Sequence, residues 1–235
     1  MHLLLAKNDL SGLAFSRGAR AFGICRVDDL RGQFHSEITE ISKKLNTAIS
    51  IGVPLSEPIL KTLFDRPNMI YKAHYRQVNA VLDDIAFAIA SEIERHGRRA
   101  LPIPASMVLK RFPMIGHLSN REIAFKAGLG WWGRNNLLVN KDYGSQIRLV
   151  TVLTDMELEP NEPSTEDCGE CFACLDACPA GAIAEEKKDF NLKACSEQVQ
   201  KFARENDYGI YICGLCLKPC RGKIQNLITN DYGTN

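Results

Sequence analysis

The chain has 235 residues and a mass of 26.2 kDa, enough for one large domain or two small ones. Hydrophobic residues make up 45% and charged residues 24%, which excludes disorder as the main state. Lys plus Arg is 29 against 28 Asp plus Glu, so the net charge of +1 lacks the basic excess that nucleic-acid binding usually shows.

Asn8 or Asp9 is expected to cap a helix over 9–20, with Leu10, Leu13, Ala14 and Arg17 at helical spacing. Ala21–Val27 reads as a strand. A second helix is expected over 33–45, where Phe34, Ile38, Ile41 and Leu45 repeat at steps of three and four. Thr47–Val53 reads as a buried strand that ends at Pro54. A long helix follows over 70–96, with Val78, Leu82, Ile85, Ile89 and Ile93 as its inner stripe, and Gly97 stops it. Ser119 to Glu122 is a capping box for a short helix ending at Gly128. Gln146–Leu153 is rich in Ile, Val, Leu and Thr and fits a strand. Glu157–Asp167 holds Pro160, Pro163 and five acids and reads as a linker. The boundary between an α/β domain, 1–158, and a cysteine-rich domain, 159–235, falls there. No apolar run reaches the ~20 residues that span a bilayer. The start is too short for a signal peptide core, so a cytoplasmic protein with no membrane partner is expected.

Nine cysteines are the anomaly. Cys25 stands alone, and the other eight lie within the 53 residues from 168 to 220. Such clustering without a secretion signal points to metal rather than to disulfides. Cys168, Cys171, Cys174 and Cys178-Pro179 form the C-x2-C-x2-C-x3-C-P run of bacterial two-cluster ferredoxins. In that run three thiolates wrap one cubane. The fourth is expected to start a helix, face away and ligate the other cluster. Crossing over assigns Cys168, Cys171, Cys174 and Cys220 to one [4Fe–4S] cluster. The second takes Cys178, Cys195, Cys213 and Cys216. The second group departs from the simple pattern, because Cys195 stands 18 residues before Cys213. The competing reading is two structural zinc sites of four Cys each, which usually pair C-x2-C with a distant C-x2-C. Cys25 reads as an inert buried thiol on a strand.

A ferredoxin needs only the last 60 or so residues. The domain in front is expected to hold whatever the electrons reach. Its most unusual stretch is Gly128-Leu129-Gly130-Trp131-Trp132-Gly133-Arg134, where three glycines in six residues allow close approach to a ligand. Trp131 and Trp132 offer flat apolar faces. Arg134 is a candidate to hold a phosphate or amide tail, and Tyr143-Gly144-Ser145 repeats the turn. The plain alternative is a glycine C-cap, a β-turn and core tryptophans.

This order of motifs, followed by Leu153-Thr154-Asp155 and the ferredoxin run, resembles the epoxyqueuosine reductase and reductive dehalogenase superfamily over roughly 70–220. The resemblance implies an α+β architecture. A nitroreductase-like α/β domain would bind cobalamin, followed by a bacterial two-[4Fe–4S] ferredoxin-like domain. It implies single electrons passing through two [4Fe–4S] clusters to a base-off cobalamin. An external donor such as ferredoxin or flavodoxin would supply them. Carried over by position, Gly128, Leu129, Gly130, Trp131, Gly133, Arg134, Gly144 and Ser145 would surround the cofactor and its tail.

Two departures set the chain apart. The stretch 111–117, upstream of the glycine motif, carries no carboxylate where epoxyqueuosine reductases have an acidic proton donor. The chain also ends at Asn235, without their C-terminal helical repeats. These and the charge balance set the expectation against tRNA and toward a small-molecule or protein-bound substrate. Tyr75 and His117 become the proton-donor candidates, with Tyr71, His74 and Arg111 behind them. The alternative is an electron-transfer protein that reduces a partner corrinoid protein or flavoprotein without a catalytic site of its own.

Overall fold

The computed structural model describes residues 5–110, 115–205 and 209–222. The chain forms two compact units that interleave in sequence. One comprises Met1–Val53, Val78–Leu129 and Arg148–Ser164. The other comprises Pro54–Gln77, Gly130–Ile147 and Thr165–Asn235. A single cut at 158/159 therefore follows chain order rather than compactness.

The elements in chain order are α1 (Lys7–Ser16), β1 (Ala21–Arg26), α2 (Ser36–Ser42), β2 (Thr47–Pro54), α3 (Glu57–Lys61) and α4 (Met69–Arg95). Then come β3 (Ala100–Ile103), α5 (Asn120–Lys126), β4 (Trp131–Trp132), β5 (Leu138–Val139), β6 (Ile147–Thr154), α6 (Ala173–Asp176) and α7 (Leu192–Arg204). The fold is mixed α/β.

The first unit is built on a four-stranded sheet in the order β1-β2-β6-β3. β1 and β2 pair antiparallel, Ala21 opposite Gly52 and Arg26 opposite Thr47. β3 and β6 pair antiparallel, Ala100 opposite Thr154 and Ile103 opposite Thr151. The two inner strands are buried almost throughout, as an apolar run covered on both faces requires. Pro102 is tolerated because β3 is an edge strand. α1 and α5 pack against β1. The stripe Val78, Leu82, Ile85, Ile89 and Ile93 of α4 is buried as its spacing predicts. Ser119 Oγ accepts the Glu122 N–H at 3.2 Å and starts α5.

Several boundaries differ from expectation for local reasons. α1 starts at Lys7, because Asp9 reaches back to the Ala6 N–H at 2.9 Å from the third helical position. It stops at Ser16, ahead of Gly18, whose φ is +105°. The second helix covers only Ser36–Ser42, and Ile41, expected on its inner stripe, is exposed. The expected linker is pinned to β1. Asn161 N–H donates to Ile24 O at 2.8 Å, and Asn161 Oδ1 accepts the Ile24 N–H at 3.0 Å. Residues 111–114, and with them the proton-donor candidate Arg111, lie outside the described residues.

The second unit carries all eight clustered cysteines. β4 and β5 form a short antiparallel hairpin, Trp131 opposite Val139. α7 was not expected. Asn191 Oδ1 accepts the Ala194 N–H at 3.0 Å and caps it. Val199 and Phe202 face inward from it.

Candidate metal centre

Four local structures bring the cysteines together. The 168–174 loop turns at Gly169, whose φ is +50°, with Cys171 N–H on Cys168 O at 3.0 Å. Cys174 lies in α6 and is buried. Cys178 comes after α6 and does not begin a helix, contrary to the reading of the run. Its carbonyl accepts from Gly181 N–H at 3.1 Å, and its Sγ accepts from Ala182 N–H at 3.3 Å. Cys195 sits in the first turn of α7, which accounts for the long gap before Cys213. Gly214 follows Cys213 with φ +83°. An added Cβ would stand 2.6 Å from the ring of buried Tyr71, so only glycine lets that turn close.

Electrostatics sort the thiols into two groups. Burial pushes Cys174 up to about 11, and the charges of Cys220, Cys168 and Cys171 push the same way. Cys220 is raised by burial, opposed by Ser145 and reinforced by Cys168 and Cys171. Burial likewise pushes Cys213 up to about 11, with Cys195 and Cys178 adding to it. Cys216 is raised well above 9.0, by burial first and then by Cys213, Cys195, Cys178 and Cys174. The first group is therefore Cys168, Cys171, Cys174 and Cys220. The second is Cys178, Cys195, Cys213 and Cys216, with Cys174 adding least to the rise at Cys216. The second group lines a cavity of about 50 Å³ with Pro179, Ala180, Ile183, Phe190 and Val199 among its walls.

The donor set suits iron–sulfur clusters. Each group offers four thiols, and backbone N–H groups already point at sulfur. Ser145 N–H reaches Cys220 Sγ at 3.3 Å, beside the Ala182 contact with Cys178. Among the described residues no three His, Cys, Asp or Glu side chains converge on a single ion. Four thiolates around one zinc stand about 3.8 Å apart, from a Zn–S bond of about 2.3 Å. A cubane binds each thiolate through a different iron and holds them further apart.

The glycine-motif residues have internal duties. A Cβ on Gly128 would meet Glu162 O at 2.5 Å, and one on Gly130 would meet Val139 O at 2.0 Å. A Cβ on Gly133 would meet Val139 Cγ2 at 2.5 Å, and one on Gly144 would meet Cys220 O at 2.2 Å. The close approaches are thus to the chain's own groups. Leu129 is buried. Arg134 places its guanidinium on three carbonyls of the cysteine-rich segment, a task not foreseen from sequence. Trp131 is half-buried, and its Nε1 finds no acceptor among the described residues. It lines an open depression of about 400 Å³ with Lys141, Glu166, Asp167 and Arg221.

The candidate acids fall in different units. Tyr75 is half-buried, edge-on to Tyr71 at 6.5 Å, in the cysteine-bearing unit. In the same unit His74 Nε2 accepts the Ser56 N–H at 2.9 Å, and burial lowers its pKa. His117 belongs to the other unit, where its Nε2 pairs with Glu37 at 2.9 Å.

No protein-family model matches the chain. An epoxyqueuosine reductase of Listeria monocytogenes is 30% identical over 139 residues, 52% of this chain and 36% of that protein. One of Salmonella typhimurium is 32% identical over 133 residues, 57% of this chain and 33% of that protein. The chain is similar to the epoxyqueuosine reductases over about half its length. It spans about a third of the length of these curated relatives. The epoxyqueuosine reductase of Streptococcus thermophilus superposes with a TM-score of 0.63 at 26% identity, over 91% of this chain and 65% of that one. A reductive dehalogenase, whose structure suggested a mechanism for B12-dependent dehalogenation, shares the fold. Its TM-score is 0.71 at 18% identity, over 90% of this chain and 31% of that one. Another epoxyqueuosine reductase, seen with a tRNA stem loop, gives a TM-score of 0.53 at 24% identity, over 75% of this chain and 52% of that one.

Proposed function

We propose that the chain is an iron–sulfur reductase of the epoxyqueuosine reductase-like type, passing single electrons through two [4Fe–4S] clusters to a cobalamin. The single observation that carries this reading is the cavity that Cys178, Cys195, Cys213 and Cys216 line together from three separate chain segments. The ferredoxin run supports the same reading, because its fourth Cys is expected to serve the other cluster. Residues 159–235 would be the ferredoxin-like part, and 1–158 the nitroreductase-like part that accepts the electrons. When bound, cobalamin supplies a cobalt centre that stores reducing equivalents for cleavage of a substrate bond. This chain's residues would hold the thiolates, direct N–H dipoles at sulfur and place largely apolar walls around the second group. An external ferredoxin or flavodoxin is the expected donor. Tyr75 and His117 remain the candidates to supply a proton.

The electron-carrier alternative keeps one specific support. The glycines expected to cradle a cofactor lie against the chain's own groups.

The test is anaerobic purification with metal analysis and electron paramagnetic resonance. About eight iron atoms per chain are expected from two four-iron clusters; stoichiometric zinc in their place would sink the proposal. Cys178→Ser should remove the cluster of Cys195, Cys213 and Cys216 and spare the other. Added cob(II)alamin should give a base-off signal at one per chain. If it does not bind, the carrier reading replaces the reductase reading. An epoxyqueuosine-bearing tRNA stem loop belongs among the substrates assayed, because a structural neighbour was seen with a tRNA stem loop.

A further inference from the structure

Two adjacent residues of the hairpin turn act on the two chain segments that supply the first cysteine group. Arg134 Nε donates to Glu185 O at 2.6 Å, Nη1 to Cys171 O at 3.1 Å and Nη2 to Gly169 O at 2.8 Å. Its guanidinium also lies 4.3 Å from the Phe172 ring. These partners are carbonyls, not carboxylates, so the positive charge is not cancelled by an ion pair. Asn135 is buried, and its Nδ2 donates to Ser145 Oγ at 3.0 Å. That bond orients the turn whose Ser145 N–H meets Cys220 Sγ. The hairpin thus joins a loop and a cysteine that are far apart in sequence.

We propose that Arg134 is a positioning residue that raises the reduction potential of the first cluster. The proposal rests on the reading that Cys168, Cys171, Cys174 and Cys220 hold a [4Fe–4S] cluster. Reduction adds one electron to that cluster and neither makes nor breaks a bond; in the test the electron comes from dithionite. The added negative charge is stabilised by a nearby fixed cation and by N–H dipoles directed at sulfur. The second group has apolar walls from Ile183, Phe190 and Val199 with the neutral Asn135 and Gln198, and among the described residues no Lys or Arg lines its cavity. It therefore serves as the internal control.

The experiment is a redox titration of the anaerobically prepared full chain, followed by electron paramagnetic resonance, for wild type, Arg134→Gln and Arg134→Lys. Arg134→Gln should lower the ratio of reduced to oxidised first cluster about tenfold at a fixed potential, equivalent to about 59 mV for a one-electron couple. Arg134→Lys keeps the charge, loses the fork, and should stay near wild type. The second cluster should not shift in either variant. An unchanged first cluster in Arg134→Gln overturns the proposal, as does an equal shift in both variants or in both clusters. An Arg134→Gln chain that loses its first-cluster iron overturns it too, because Arg134 would then be a folding contact. A wild-type chain without iron overturns the cluster reading itself, a result distinct from all of these.

Discussion

Cys25 shows how place decides chemistry for a single thiol. It lies on β1, nearly sealed from water, with its Sγ 3.7 Å from Ile123 O. Burial pushes its pKa from 9.0 up to about 12, Asp29 adds to the rise and Lys126 opposes it. Because the thiolate is the nucleophile, its reaction with iodoacetamide should remain negligible through pH 9 and increase only toward about 12. Mass spectrometry of the alkylated, folded chain over a pH series measures this. A half-maximal rate near pH 9 would contradict the burial. Arg134 is the opposite case. Its residue type suggested an anion ligand, and only the fold revealed three carbonyls arranged to receive it.

At the scale of elements, the glycines divide by what stands above them. Gly144 has φ +59°, and an added Cβ would lie 2.2 Å from Cys220 O and 2.6 Å from its carbonyl carbon. Gly144→Ala should displace Cys220 and cost roughly 1–3 kcal/mol as an overpacked site. Iron content should fall toward half as the first cluster is lost, which metal analysis measures directly. Gly12 is the contrast. It lies in α1, and nothing stands within 4 Å of its added Cβ. Gly12→Ala should stabilise the chain by roughly 0.5–1 kcal/mol, seen as a higher urea midpoint, because helix propensity gains with no clash. α7 was legible in principle. Leu192, Cys195, Val199 and Phe202 recur at helical steps behind a capping Asn191, but Cys195 attracts attention as a ligand before it does as a helix residue.

For the whole molecule, two compact units imply two responses to metal loss. Ligand thiols raised by burial favour the protonated form without metal, so removing iron takes away the partner that keeps them as thiolates. Hydrogen exchange after iron removal should quicken at Cys168–Cys178 and Cys213–Cys220. Amides of β2 and β6, central in their sheet, should keep their protection. Equal loss of protection in both sets would show that the sheet depends on the metal. Among the described residues no helix is long and apolar enough to cross a membrane.

Sequence alone determined what depends on short-range periodicity and ligand spacing. The stripe of α4, the Ser119 cap and the buried strands β2 and β6 are all encoded within a few residues of one another. Tertiary structure decided what depends on contacts distant in sequence. β3 was invisible because four residues with an internal proline carry no strand signal until β6 pairs with them. A glycine motif reads as a ligand cradle in sequence, and a close approach to the chain's own carbonyl demands the same missing side chain. Which of the two occupies the space above each glycine is set by where Val139, Glu162 and Cys220 come to rest, and no local pattern encodes that.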